Sequence, residues 1–136
     1  MKKSIIETYK NDTYFVDLVV ANEHTTLKEL RKLYMFSDKV ELNEEILSGD
    51  CTTSTCIRKA DDRFVILIKY NHANTCKSID KKVDLINTVS HEATHVALDI
   101  YENIHQNVCF CSPEPFCYLV GWAAECIYKT LTKKSK

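Results

Sequence analysis

The stretch of sequence that decides the fold runs from residue 80 to residue 104 and reads DKKVDLINTVSHEATHVALDIYENI. Its apolar residues recur at spacings of three and four, which is the period of one face of an α-helix. These residues are Val83, Ile86, Val89, Ala93, Val96, Ile100 and Ile104. The pattern predicts one long amphipathic helix whose apolar face packs against other elements of the fold.

The segments before this helix include three predicted strands. A buried strand is expected at residues 13 to 21, because TYFVDLVVA is rich in β-branched and aromatic residues. Two more strands are expected at residues 51 to 59 and 63 to 71. The polar turn between these two strands indicates an antiparallel hairpin.

Two helices are predicted between the first strand and the hairpin. Residues 25 to 36 carry a leucine stripe behind a capping-box signature, in which Thr26 and Glu29 are three positions apart. Residues 38 to 49 predict a second short helix that ends at Gly49.

A last helix completes the predicted architecture. Ser112 has the character of an N-cap, and Pro113 suits the first helical position, so we expect a helix from there to about residue 132. Residues 1 to 136 are therefore expected to form one α+β domain, since no repeat or linker divides the chain. In it, a small β-sheet of three or four strands packs against two long C-terminal helices.

The net charge, apolar runs and cysteines exclude several classes of protein. The net charge is −1, which gives no electrostatic case for a nucleic-acid partner or an anionic membrane surface. No apolar run approaches the roughly 20 residues that a membrane span needs. The charged residues Glu7, Lys10 and Asp12 interrupt any signal peptide at the N-terminus. Seven cysteines without a secretory signal favour reduced thiols in a cytoplasm.

The predicted long helix contains the sequence HEATH, an HExxH motif. His91 and His95 are four residues apart and therefore lie on one face of a helix, where both imidazoles can bind one zinc ion. Glu92 is rotated about 100° around the helix and can act as general base for a zinc-activated water. The alternative is that the HExxH motif occurs by chance in an ordinary amphipathic helix.

A catalytic zinc site needs a third protein ligand and an open position for water. Metzincin proteases place a glycine and a third histidine behind the motif, but Leu98 and Tyr101 occupy those positions here, which excludes that family. His105 would lie about 15 Å along the helix from His95, too far to share an ion. It is better explained as a histidine at a helix end.

A glutamate from the last helix is the better candidate for the third ligand. Glu114 would sit in the first turn of that helix, which two antiparallel helices can bring against the His91 and His95 face. Glu125 competes, because it lies about three turns further along the same face. It is also explained as a solvated carboxylate.

These residues carry a resemblance to a known family. HEATHVALDIYE followed by PEPFCYLVGW resembles the gluzincins, in which an HExxH helix is completed by a glutamate on the next helix. The segment HExTHxxxD is also similar to the thermolysin helix. More specifically, residues 60 to 130 resemble small HExxH proteins that tailed bacteriophages encode. The resemblance implies a minimal zincin-like fold, with Glu92 as general base and zinc ligands His91, His95 and Glu114.

The resemblance also implies a function, which we take as the leading hypothesis. It is a zinc-dependent metallopeptidase that hydrolyses a peptide or related amide bond by metal-activated water. The partner would be an unidentified peptide or protein substrate, with no nucleic acid or membrane involved. A phage-encoded chain would act in the host cytoplasm or belong to the virion.

Other residues are candidates for supporting roles. Tyr118, one turn after Glu114, could donate a hydrogen bond to a developing oxyanion, although a tyrosine in FCYLVGW is more often a packing residue with a polar tip. Asp99 could accept a hydrogen bond from a ligand imidazole, and His72 could line the cleft. Residues 51 to 59 would suit a sheet edge that pairs with extended substrate.

Three alternative functions remain open. Peptide deformylases also use an HExxH helix and take a cysteine upstream of it as third ligand, which Cys51 could supply, although their glycine-rich motif is missing. A structural zinc module could use the thiolates of four cysteines, which are Cys109, Cys111, Cys117 and Cys126. Their spacing matches no familiar zinc finger, and Cys117 and Cys126 are better explained as buried free thiols. The third alternative is a non-catalytic phage virion or assembly protein that retains a zinc site.

Overall fold

The computed structural model describes residues 2–71 and 81–133, which form an α+β fold. Five strands, three α-helices and one 3₁₀ turn occur in these ranges. In chain order they are β1 (Ile6–Asn11), β2 (Val16–Ala21), α1 (Leu27–Leu33), β3 (Tyr34–Phe36), the 3₁₀ turn (Glu44–Leu47), β4 (Cys51–Arg58), β5 (Phe64–Tyr70), α2 (Lys81–Asn103) and α3 (Glu114–Leu131). The predicted fold class is confirmed.

The strands form one mixed sheet in the order β1-β2-β5-β4-β3. β2 and β5 are parallel, and the other neighbours are antiparallel. β4 and β5 form the predicted hairpin, which Arg58 closes by donating its backbone N–H to the Arg63 carbonyl at 2.9 Å. The parallel pair lies at the centre of the sheet, where strands are covered on both faces.

Two apolar layers hold the sheet. On one face, Leu18, Val20, Ile66 and Ile68 pack against α2 and α3. On the other face, alternate residues of the same strands pack against α1 and the 3₁₀ turn. Because side chains alternate along a strand, the apolar residues of β2 supply both layers, and every residue of that strand, including Asp17, is buried. α2 lies against β4 and β5, and α3 lies against β1 and β2.

Several boundaries differ from the sequence predictions. The sheet has five strands rather than three or four, because β1 and β3 pair at its two edges. β2 begins at Val16 rather than residue 13, because Phe15 turns the chain with a φ of 54°. α1 has the predicted capping box but ends at Leu33, where the next residues pair with β4. The helix predicted at residues 38 to 49 is wrong, since only one 3₁₀ turn forms there.

The two C-terminal helices confirm the predicted architecture, with changes at their ends. Residue 80 lies outside the described ranges, and α2 ends at Asn103. The middle of its apolar stripe is buried, whereas Val83 and Ile86 are more than half exposed. Pro113 rather than Ser112 is the N-cap of α3, and no side chain caps that helix. Across the described ranges, no helix is both long and apolar enough to cross a membrane.

Candidate metal centre

The two histidines of the HExxH motif lie together on the exposed face of α2. The Nε2 atoms of His91 and His95 are 3.2 Å apart, and the ring centroids are 4.8 Å apart. Two zinc–nitrogen bonds of about 2.05 Å at a tetrahedral angle would place the two nitrogens about 3.3 Å apart. The observed distance therefore fits a single ion bound by both Nε2 atoms. It also fits a hydrogen bond between two neutral imidazoles.

Glu92 points from α2 toward the sheet. Glu92 is only 6% exposed, and Ala93 after it is also buried, whereas His91 before it is exposed. The Thr53 hydroxyl, on β4, donates a hydrogen bond to Oε2 of the carboxylate. The other oxygen, Oε1, lies 4.0 Å from His91 Nε2. The carboxylate is therefore held between the strand and the histidine pair, at the distance where a bridging water could reach both groups.

A cleft of about 250 Å³ opens beside this carboxylate, between the start of β4 and the outer side of α2. Its lining is almost entirely polar and comes from Asp50, Cys51, Asn87, Thr88, His91 and Glu92. The cleft gives solvent access to His91 and Glu92 from the side where β4 begins. His91, an expected ligand, and Glu92, the expected general base, therefore line one cleft.

The structure places Glu114 away from the histidine pair. It is exposed and is the first residue of α3. The Tyr101 and Phe116 rings are 5.2 Å apart, which fixes the start of α3 beside the end of α2. Tyr101 lies about 9 Å along the helix axis from His95. Within residues 2–71 and 81–133, no three His, Cys, Asp or Glu side chains form a group that could hold a metal ion.

The other candidates on α3 face solvent. Glu125 forms an ion pair with Lys129, with 2.8 Å between Oε1 and Nζ. Tyr118 is 76% exposed and has the same outward direction as Glu114. Neither side chain therefore shares the cleft of His91 and Glu92 in this structure.

Asp99 lies one turn beyond His95 and is partly buried. Burial raises the pKa of this carboxyl above its ordinary value. His95 acts in the opposite direction, and the nearby carboxylates of Glu102 and Glu92 add to the rise. In the part of the chain described, Asp99 makes no hydrogen bond to either imidazole, so the predicted contact is not formed.

The six cysteines in the described ranges divide into three groups. Cys51 lines the cleft, and burial, supported by the charge of Glu92, raises the pKa of its thiol. Cys56 and Cys126 are buried free thiols. Cys109, Cys111 and Cys117 are exposed, so the expected core position of Cys117 is wrong. His72 lies outside the described residues.

Asp50, Asn87 and Thr88 line the cleft, and Thr53 bonds to its carboxylate, although the sequence did not single out these four residues. Asn87 and Thr88 lie four and three residues before His91, so helical periodicity could have identified them. Thr53 lies in β4 and Asp50 immediately precedes that strand, about 40 residues before the motif, and no local pattern connects them with it. Comparison with known proteins found no matching family model, curated protein or solved structure.

Proposed function

We propose that this protein is a zinc-dependent metallopeptidase of gluzincin type, which hydrolyses a peptide or related amide bond. The observation that carries the proposal is the 3.2 Å separation of the two histidine Nε2 atoms, which suits tetrahedral zinc. A buried carboxylate beside the same pair supports a hydrolytic role, since amide hydrolysis needs a base close to the ion. The ligands would be His91, His95 and a third residue.

Each residue of the proposed site would have a separate role in the reaction. When bound, zinc supplies Lewis acidity, which makes a water molecule more acidic and polarises the carbonyl of the scissile bond. Glu92 would accept the proton of that water at its carboxylate and deliver it to the departing amide nitrogen. Thr53 holds Oε2, so that Oε1 is the oxygen free to take the proton. The Tyr118 hydroxyl remains a proposed donor to the oxyanion.

Glu114 is the proposed third ligand, because the sequence resembles that of the gluzincins. It begins α3, and a side chain at a helix end can be repositioned by a change in the preceding loop. Binding of an ion by the histidine pair would provide the energy for that change. A phage-encoded enzyme of this kind would act in the host cytoplasm.

A second candidate takes Cys51 as the third ligand, as in the peptide deformylases. The observation in its favour is that Cys51 lines the same cleft as His91 and Glu92. Burial raises the pKa of this thiol, so Cys51 is protonated without metal and would bind zinc as the thiolate after losing that proton to water.

The test is hydrolysis of a mixed peptide library by the zinc-loaded chain, with products identified by mass spectrometry. Glu92→Gln should retain the metal and lose at least about 100-fold in turnover, because it removes the base. Glu125→Gln is the matched control, since it removes one exposed carboxylate outside the cleft and should cleave normally. Equal cleavage by wild type and Glu92→Gln would refute the proposed mechanism. A wild type that binds zinc but cleaves no amide would favour the non-catalytic assembly protein.

A further inference from the structure

A cavity of about 420 Å³, separate from the cleft of the candidate metal centre, lies where β1 begins and where β2 and α3 end. β1 and β2 are antiparallel, so the residues before β1 and those after β2 meet at the same end of the sheet. The cavity and the cleft at His91 and Glu92 share no lining residue. The cavity is lined by Lys2, Lys3, Ile5, Asn22, Glu23, His24, Leu131 and Lys133.

The charge of this cavity differs from that of the whole chain. The chain has 18 basic and 19 acidic residues, so it is almost neutral. Among the residues that line the cavity, three are lysines and only Glu23 is acidic. The Glu23 carboxylate lies 3.0 Å from Nε2 of His24, which lines the same cavity. Cations that share a cavity repel each other, and an anionic ligand relieves this repulsion.

Two of the three lysines are available to a ligand. Within residues 2–71 and 81–133, the side chains of Lys2 and Lys3 form no ion pair or hydrogen bond, and both residues are exposed. The third, Lys133, donates to Oε1 of Glu7, which does not line the cavity. The cavity therefore has two free ammonium groups and a third whose charge is partly offset from one side.

A buried lysine lies behind the lining residue Asn22. Lys69 is 2% exposed, and its Nζ donates to the Asn22 carbonyl at 3.1 Å and to the Tyr70 carbonyl at 2.7 Å. In the described part of the chain, no carboxylate forms a hydrogen bond with this nitrogen. Burying an ammonium group is costly unless a negative charge compensates it. An anion beside Asn22 would supply negative charge on that side.

The size and the apolar part of the cavity narrow the class of anion. Its volume falls in the range of small-molecule sites, roughly 300–1,000 Å³. Ile5 and Leu131 give it a partly buried apolar surface. No lining residue is aromatic, so the cavity offers no ring on which the bases of a nucleic-acid strand could stack. A small molecule with several negative charges and an apolar part fits these features, and lysine binds phosphate as a point charge.

We propose that this cavity binds a multiply phosphorylated small molecule, of the class of a nucleoside triphosphate. Lys2, Lys3 and Lys133 bind its phosphates, and its uncharged part contacts Ile5 and Leu131. The site shares no residue with the proposed zinc centre, so it adds a second ligand to this protein and does not depend on the metallopeptidase proposal.

The first experiment is isothermal titration calorimetry of the full chain without added metal. The probe is ATP, and the matched control is adenosine, which has the same uncharged part and no phosphate. ATP should bind at least about tenfold more tightly at low salt, and the difference should shrink at high salt. Equal affinity of ATP and adenosine would overturn the recognition of phosphate. A short DNA duplex that binds at least about tenfold more tightly than ATP would overturn the small molecule as occupant.

Variants of the two free lysines test the location. The double variant Lys2→Gln, Lys3→Gln should weaken ATP binding about fivefold, since each surface ion pair contributes modestly. The matched control is Lys28→Gln, Lys59→Gln, which removes two exposed lysines outside the cavity and changes the net charge by the same amount. Equal weakening by the two double variants would overturn the assignment to this cavity.

A variant of Glu7 tests the third lysine with the opposite sign. Glu7→Gln removes the carboxylate that binds Lys133, so ATP should bind about twofold to threefold more tightly. Glu125→Gln is the matched control, because it releases Lys129, which does not line the cavity. Equal effects of the two variants would overturn the role of Lys133.

A variant of the zinc centre separates this inference from the proposed function. His95→Ala should bind ATP as the wild type does, because no residue is shared between the two sites. ATP binding by a chain that cleaves no amide would support this inference and refute the proposed function. Amide cleavage by a chain that does not bind ATP would do the reverse.

Discussion

The hydrogen bond between Thr53 and Glu92 makes a quantitative prediction about stability. Thr53→Val keeps the shape of the side chain but removes the hydroxyl that donates to the carboxylate. Glu92 is 6% exposed, so its oxygen cannot recover a full water shell. Leaving a buried acceptor without its donor costs about 1–3 kcal/mol. We therefore expect the free energy of unfolding of the metal-free chain to fall by about 2 kcal/mol.

Urea unfolding followed by circular dichroism measures this change. For an m-value of about 2 kcal/mol/M, the midpoint should fall by about 1 M. Thr55→Val is the matched control, because its hydroxyl lies on the same strand but bonds to an exposed Ser37 hydroxyl. It should change stability by less than about 0.5 kcal/mol.

A double-mutant cycle separates the contact from other effects. In the Glu92→Ala background, Thr53→Val should cost at least about 1 kcal/mol less than in wild type, because the carboxylate that needs the donor is gone. Additive effects of the two substitutions would refute the coupling. They would mean that Thr53 does not hold the proposed base.

Two further predictions concern α2. Asp99→Asn should raise the free energy of unfolding at pH 7, because burial raises the folded-state pKa of Asp99 and so opposes its charged form. Well below pH 3.8, Asp99 is protonated in both the folded and the unfolded protein, so thermal unfolding measured across pH should show this gain disappear as the pH falls. A gain that persists at low pH would show that it does not come from the charge of Asp99. Ile100→Ala should cost about 2–5 kcal/mol in urea unfolding, because Ile100 is 1% exposed, whereas Leu98→Ala, at 44% exposure, should cost much less. Similar costs at the two positions would show that α2 does not pack on the sheet through this face.

The parts of the fold that the sequence predicts correctly are those with a local signal. α2 follows from a sustained helical period, and the β4–β5 hairpin follows from two β-rich runs around a polar turn. β1 and β3 lack such a signal. β1 mixes charged and apolar residues at a sheet edge, and β3 continues directly from a helical pattern. Their pairing with β2 and β4 depends on tertiary contacts, which override local propensity.

The same distinction applies to the candidate site. The pairing of His91 and His95 follows from the helical repeat and is present at 3.2 Å. The burial of Glu92 against Thr53 joins two segments that are distant in sequence, so no pattern in either segment predicts it. The place of Glu114 depends on the path of the loop between α2 and α3, which the sequence does not determine.

Bound-zinc stoichiometry tests the central claim most directly. The wild-type chain, offered zinc and then freed of excess, should carry about one zinc per chain, and His95→Ala should carry none. Glu114→Ala should also lose the metal, whereas Cys51→Ser and the control Glu125→Gln should keep it. Loss in Cys51→Ser with retention in Glu114→Ala would assign the third ligand to Cys51. A wild type that binds no zinc would contradict the account and leave the histidine pair as an ordinary feature of a helix surface.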